Sequence, residues 1–192
     1  MHRKVLHTIL FGVLFAGCTS LTFAQHLAIS NNAIFDAAGV LSVGIELPVS
    51  NRLSLEAYGG IRPWKRAERN VNKSWALQGQ VRIWPCKVMN GFFWGPYAHV
   101  AAFNIANKDL FFGIRLGKKD FRYEGWLIGG GIGVGYEYVL ARHWNICAEV
   151  GVGYTYIDRK QYYCETCGKM KGGGVYNYFG PSKLGLSILY VF

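Results

Sequence analysis

The sequence predicts an all-β chain: an eight-stranded antiparallel up-and-down transmembrane β-barrel of outer-membrane type. Three observations lead there. Apolar residues alternate with small or polar ones at a period of two in segment after segment, short and long links alternate between those segments, and the last residue is an aromatic in phase with the last alternation. The 192 residues are one domain's worth of chain. Charged residues make up only 17%, against about 25% in ordinary soluble domains, and 51% are apolar. That composition argues against disorder. The 25 glycines and the scarcity of long Leu/Ala/Glu/Lys runs argue against a helical bundle.

Residues 1–24 read as a signal peptide. Met1-His2-Arg3-Lys4 is a basic start, Val5 to Gly17 is an apolar run too short to span a bilayer, and Thr22-Phe23-Ala24 offers small residues for cleavage after Ala24. Leu14-Phe15-Ala16-Gly17-Cys18 is a rival signal, for lipidation at Cys18, although Phe15 fits a lipobox poorly. Either way the chain is exported, and residues 25–192 are expected to form the barrel domain. Trp126 to Ala141 is the most apolar later stretch. Its glycines at 129, 130, 131, 133 and 135 and its Glu137 are wrong for a transmembrane helix.

The strands follow in order. Segments near 26–35 and 92–104 alternate less cleanly. Residues 41–47 set Leu41, Val43, Ile45 and Leu47 against Ser42, Gly44 and Glu46, and residues 53–61 set Leu53, Leu55, Ala57 and Ile61 against Ser54, Glu56, Tyr58 and Gly60. Residues 75–83 set Trp75, Leu77, Val81 and Ile83 against Ala76, Gln78, Gln80 and Arg82. From Trp126 to Tyr138, bulky residues oppose Gly129, Gly131, Gly133, Gly135 and Glu137. Residues 144–156 oppose Trp144, Ile146, Val150, Val152, Tyr154 and Tyr156 to Asn145, Cys147, Glu149, Gly151, Gly153 and Thr155, and the final segment runs from Lys183 to Phe192. Links near 48–52, 85–91 and 141–143 are short. Those near 64–73, 106–122 and 159–177 are long, and the short 36–39 link takes a long-link place.

A soluble sandwich would carry charges on its second face, and a lipocalin-like cup would place its bulky residues inside. Here the bulky residues form one continuous face. Aromatics mark its edges: Trp126 and Tyr136, and likewise Trp144 and Tyr154, are ten residues apart. At ~3.3 Å per residue and a tilt of ~40°, that spacing covers about 25 Å, the height of an outer-membrane apolar band. Trp94, Tyr138, Trp144, Tyr190 and Phe192 are expected at the low girdle, and Trp75, Trp126, Tyr154 and Tyr156 at the high one.

The segment Leu186-Ser187-Ile188-Leu189-Tyr190-Val191-Phe192 resembles the terminal signal read by barrel-assembly machinery, with Tyr190 and Phe192 as its aromatics. More broadly, six segments resemble a family: Asn31 to Gly39, Arg62-Pro63-Trp64, Arg82 to Cys86, Tyr123 to Gly129, Cys164 to Cys167 and Asn177 to Pro181. The chain is similar to small outer-membrane barrels of Bacteroidetes of unknown function, within the OmpA-transmembrane-like superfamily. That resemblance implies an outer-membrane barrel in a Gram-negative envelope and brings no catalytic residue.

By strand parity Glu46, Glu56, Gln78, Gln80, Arg82, His99, Glu137, Asn145, Glu149 and Lys183 point inward, with Arg52 at a rim. An eight-stranded lumen is just wide enough for side chains to fill. Confined charges should therefore pair into a hydrogen-bonded plug, and a proton, ion or solute path through them is the alternative. An outer-leaflet lipid-modifying enzyme would need a Ser–His–acid set or its equivalent near the rim. His26, His99 and His143 are poorly placed for that, so no enzyme and no cofactor is expected. His99 reads as an interior histidine.

Cys164-Glu165-Thr166-Cys167 offers two ligands where zinc needs four, so a loop disulfide or two free thiols is the expectation rather than a metal site. Sequence leaves open whether Cys86 and Cys147 pair. The segments 62–73, 106–122 and 159–177 hold 14 of the 19 basic residues after residue 24. Among them are Lys65, Arg66, Arg69, Lys118, Lys119, Lys169 and Lys171. The acids in or beside these segments are Glu68, Asp109, Asp120, Asp158 and Glu165. Nucleic acid is an unsuitable partner for an exported barrel without a recognition motif. Phosphates and carboxylates of lipopolysaccharide, a surface glycan or an envelope protein fit such loops, and so does plain solvation. The expected role is thus a non-enzymatic integral outer-membrane protein that interacts through its basic loops.

Overall fold

The computed structural model describes residues 27–62, 72–106, 122–162 and 170–192. Eight antiparallel strands form a closed ring: β1 (Ala28–Asn32), β2 (Leu41–Ser50), β3 (Leu53–Arg62), β4 (Asn72–Ile83), β5 (Gly91–Ala106), β6 (Arg122–Ala141), β7 (Trp144–Tyr162) and β8 (Met170–Val191). Each strand pairs with the next, and β1 closes on β8 from Ala28↔Val191 to Asn32↔Ser187. The Phe192 N–H donates to the Leu27 carbonyl at 2.9 Å and locks that seam. The short turns at 51–52, 84–90 and 142–143 lie at the same end as the seam, called lower here.

Period-two alternation decides which side each residue takes. Ile45, Leu55, Leu77, Ile132 and Val150 stand outward and exposed, while Glu46, Ser54, Glu56, Gln80 and Glu149 are buried inside. The outward aromatics group as their spacing predicts. Trp75 and Trp126 both pair with Ala102 in one upper row, and Trp126 lies 5.7 Å from Tyr156. Near the lower end Tyr190 contacts Trp144 at 5.1 Å and Phe192 at 5.0 Å, ring to ring.

Two elements depart from expectation. The segment 26–35 is not one strand. β1 stops at Asn32, whose side-chain oxygen accepts from the Ile34 N–H at 3.0 Å and caps a short helix, α1 (Ala33–Ala37). Gly39, at φ 78°, releases the chain into β2. The expected long loop 159–177 is largely strand. Arg159, Lys160 and Gln161 pair with Gly174, Gly173 and Gly172, so the glycine run that read as loop is extended backbone beside long side chains. Lys171 therefore belongs to β8 rather than to a loop, and Arg159 and Lys160 to β7. Strand length consequently climbs around the ring, from 5 residues in β1 to 22 in β8, and the upper rim has a low wall at β1–β3 and a tall one at β6–β8.

Candidate functional site

The lumen gathers the chain's inward polar residues, and glycines make the room. On β6 and β7, Gly131, Gly133, Gly135 and Gly151 face inward. A Cβ at Gly133 would lie 2.8 Å from Glu149 Oε1, and one at Gly135 would lie 2.4 Å from Phe93 Cζ. Bare backbone on β6 thus leaves the space that Phe93 of β5 and Glu149 of β7, on the strands either side, occupy.

Arg82 is the hub. Its guanidinium donates to Glu46, to Glu56 at 2.7 Å and to Glu149 at 3.1 Å, and its Nε donates to Gln80 Oε1 at 3.3 Å. The ring of Phe93 lies beneath it, 4.5 Å from the guanidinium carbon. Lys183 bridges Glu149 at 2.8 Å and Glu56 at 3.3 Å and donates to Gln80. Gln80 in turn donates to Glu149 at 2.6 Å. Ser54 donates to Glu46 at 2.6 Å and receives the Trp84 indole N–H at 2.8 Å. Five strands meet here, and the pairs span up to 127 positions of sequence. Isolated buried charges are costly, whereas charges bridged on several sides by hydrogen bonds are tolerated.

Glu137 and Asn145 form a second pair, with Asn145 donating at 2.6 Å and holding the Met89 carbonyl at 3.3 Å. The other Glu137 oxygen is buried without a hydrogen bond among the described residues. Beneath the charges Ala28, Trp84, Met89, Phe93, Cys147 and Leu189 pack into an apolar plug, with the Trp84 and Phe93 rings 4.7 Å apart. Trp84 was missed by strand parity because it belongs to a turn. The dipeptide Trp84-Pro85 was its only local signal.

Gln78 and His99 lie higher and are half-buried. His99 contacts Thr155 Oγ1 at 3.2 Å and stacks on Tyr97. His143, in the β6–β7 turn, bonds the Val191 carbonyl at 2.9 Å. Among the described residues neither histidine is hydrogen-bonded to a carboxylate. Cys86 is exposed in the β4–β5 turn and Cys147 is buried, and both are free. Among the described residues no cluster of His, Cys, Asp or Glu could hold a metal. Cys164, Cys167, Lys65, Arg66, Arg69, Lys118, Lys119 and Lys169 lie outside the described residues.

All ten residues read inward from sequence therefore face the lumen. Six of them, Glu46, Glu56, Gln80, Arg82, Glu149 and Lys183, join one network. A family model described as a protein of unknown function, DUF3575, matches residues 9–192. The chain belongs to that family. No curated protein matches it. In this member of DUF3575 eight strands form a ring whose interior is charged and whose exterior is apolar.

Proposed function

We propose that the chain is an integral outer-membrane barrel with a closed lumen that acts at its outer end on envelope molecules. Its inverted polarity carries the reading. Charged groups are buried inside while bulky apolar residues cover the outside, as in Ile132 at 57% exposed against Glu137 at 0%. In water that arrangement would leave an apolar patch far beyond the few hundred Å² a soluble monomer tolerates. In a bilayer it buries the belt, and closure of the ring satisfies the backbone. Residues 1–24 serve in this reading as the signal peptide, and Tyr190 and Phe192 as the aromatics met by barrel-assembly machinery. The basic side chains around the upper end suit phosphates and carboxylates of lipopolysaccharide, surface glycan or a partner protein. The Arg82 network speaks against a general pore, and the contacts of His99 and His143 give no support to a lipid-modifying enzyme.

The test is biochemical and topological. Unboiled and boiled samples of the membrane fraction should migrate differently in detergent gels. A membrane-impermeant maleimide, located by mass spectrometry, should reach Cys86 only after the outer membrane is permeabilised, because the short turns face the periplasm. Identical migration, or a chain in the soluble fraction, refutes the reading.

A further inference from the structure

Above the charged layer the lumen changes character. Gly60 of β3, Ala76 of β4 and Ala101 of β5 stand side by side in one hydrogen-bonded row, which continues into Leu127 and Ile157. Three adjacent inward positions therefore supply at most a methyl group each. Lower down, Phe93, Tyr97 and Glu149 from nearby strands fill the space beside the glycines. Here a cavity of about 110 Å³ remains. Phe35 of α1, Val40, Tyr58, Phe103 and Leu127 wall it, and Gln78, His99 and Thr155 reach it from below. The His99 Nδ1 is buried without a hydrogen-bond partner among the described residues. An apolar cavity of about 150 Å³ engineered into a protein core stays dry and takes up a molecule the size of benzene.

The cavity continues upward. It shares Ser74, Trp75, Ala102 and Phe103 with an open groove of about 480 Å³ at the rim, flanked by Arg62 and Lys73. The groove's acid, Glu124, is bridged by Arg122 at 2.9 Å. A molecule entering from the upper end thus meets the Arg62 cation first and hydrocarbon next. Arg62 and Gly60 are two residues apart on β3 and so face the same side, roughly 7 Å apart at the rise of a strand, whereas Lys73 shares the outward face of Trp75. The Arg82 layer closes the way below.

We propose that the upper lumen binds a small amphipathic carboxylic acid, with its hydrocarbon part in the cavity beside Gly60, Ala76 and Ala101 and its carboxylate at Arg62. Charge complementarity at the mouth selects an acid over a neutral or cationic amphiphile. The compact cavity selects a medium chain or a single ring over a long acyl chain. This is a binding site with one entrance, not a conduit.

The test uses the full chain folded in lipid nanodiscs and octanoate carrying a terminal diazirine, with crosslinks located by mass spectrometry. Labelling at Phe103 and Leu127 that excess plain octanoate suppresses is the expected result. Ala76→Phe and Ala101→Leu, each filling the cavity, should abolish that suppressible labelling while both variants keep the folded-barrel gel shift. Arg62→Gln should raise the octanoate needed for competition about two- to fivefold, the worth of an exposed ion pair, and leave competition by octanol unchanged. Labelling confined to outward residues such as Leu77 and Ile128, or labelling that both filled variants retain, overturns the proposal. Equal loss of octanoate and octanol competition in Arg62→Gln overturns the choice of an acid. Loss of the gel shift in the wild type counts against the barrel reading rather than against the cavity.

Discussion

In the lower half of the lumen, the space beside each inward glycine is taken by a named group: Glu149 at Gly133, Phe93 at Gly135, Tyr97 at Gly151. In the upper half, Gly60, Ala76 and Ala101 form a comparable patch of small residues; Val40 stands 3.1 Å from where a Cβ on Gly60 would lie, and the space beside Ala76 and Ala101 stays open. The same device, small residues on one wall, thus serves two purposes. Below, it admits Phe93, Tyr97 and Glu149 from nearby strands, beside the Arg82 network that joins strands remote in sequence. Above, Phe35, Tyr58, Phe103 and Leu127 wall the patch without filling it. The lower half acts as a fixed partition, and the upper half is a vestibule whose packing tolerates change.

The largest effect should come from removing the hub of the partition. Arg82→Ala leaves Glu46, Glu56 and Glu149 facing one another with only Lys183 nearby. Breaking a buried ion pair in this way costs about 3–5 kcal/mol. The urea midpoint of the folded, heat-modifiable species should fall accordingly, and wild-type protein should show no steady large conductance in planar bilayers. A variant with unchanged midpoint, or an open wild-type pore, breaks the contrast between the two halves.

Overpacking compares them directly. In Gly135→Ala the new methyl meets Phe93 Cζ at 2.4 Å and the Ala148 carbonyl at 2.8 Å, so either ring or backbone must shift, at about 1–3 kcal/mol. Ala101→Val adds two methyl groups at a position that lines the open cavity and should cost less than about 1 kcal/mol, because the added volume has space to enter. The same urea titrations report both. Equal losses at the two sites would mean that the vestibule is packed as tightly as the partition.

Much of the partition was legible, because parity needs only a period of two. Glu46, Glu56, Arg82, Glu149 and Lys183 face inward whatever the register. Their pairing was not legible, since Arg82 meets Glu149 across 67 positions only once β4 and β7 are placed around a closed ring. The cavity escaped for the same reason: Gly60, Ala76 and Ala101 become neighbours through register, not through sequence. Helix α1 was hidden behind an apparent strand alternation. Its own signals were Asn32 as a cap and Gly39 as a stop. The extended β7–β8 wall was masked by Gly172-Gly173-Gly174, which local rules read as a turn.

That tall wall supplies the smallest predicted effect. A Cβ built on Gly172 or Gly174 meets nothing within 4 Å, unlike the lower glycines. Neither has a left-handed backbone that an L side chain would strain. Alanine at either site also narrows the unfolded chain's freedom, which alone stabilises by about 0.4–1 kcal/mol when the native conformation is compatible. Gly172→Ala and Gly174→Ala should therefore leave the urea midpoint unchanged or raise it slightly. Hydrogen exchange at Arg159, Lys160 and Gln161, whose pairing with the glycine run defines this wall, should stay protected in both variants. A loss above about 1 kcal/mol, well outside the ±0.5 kcal/mol usual for surface substitutions, would show that the glycine run is packed against something it does not touch in this structure. Fast exchange at Arg159–Gln161 in the unsubstituted protein would instead return the segment to the loop that its glycines suggested, and would level the two walls of the vestibule.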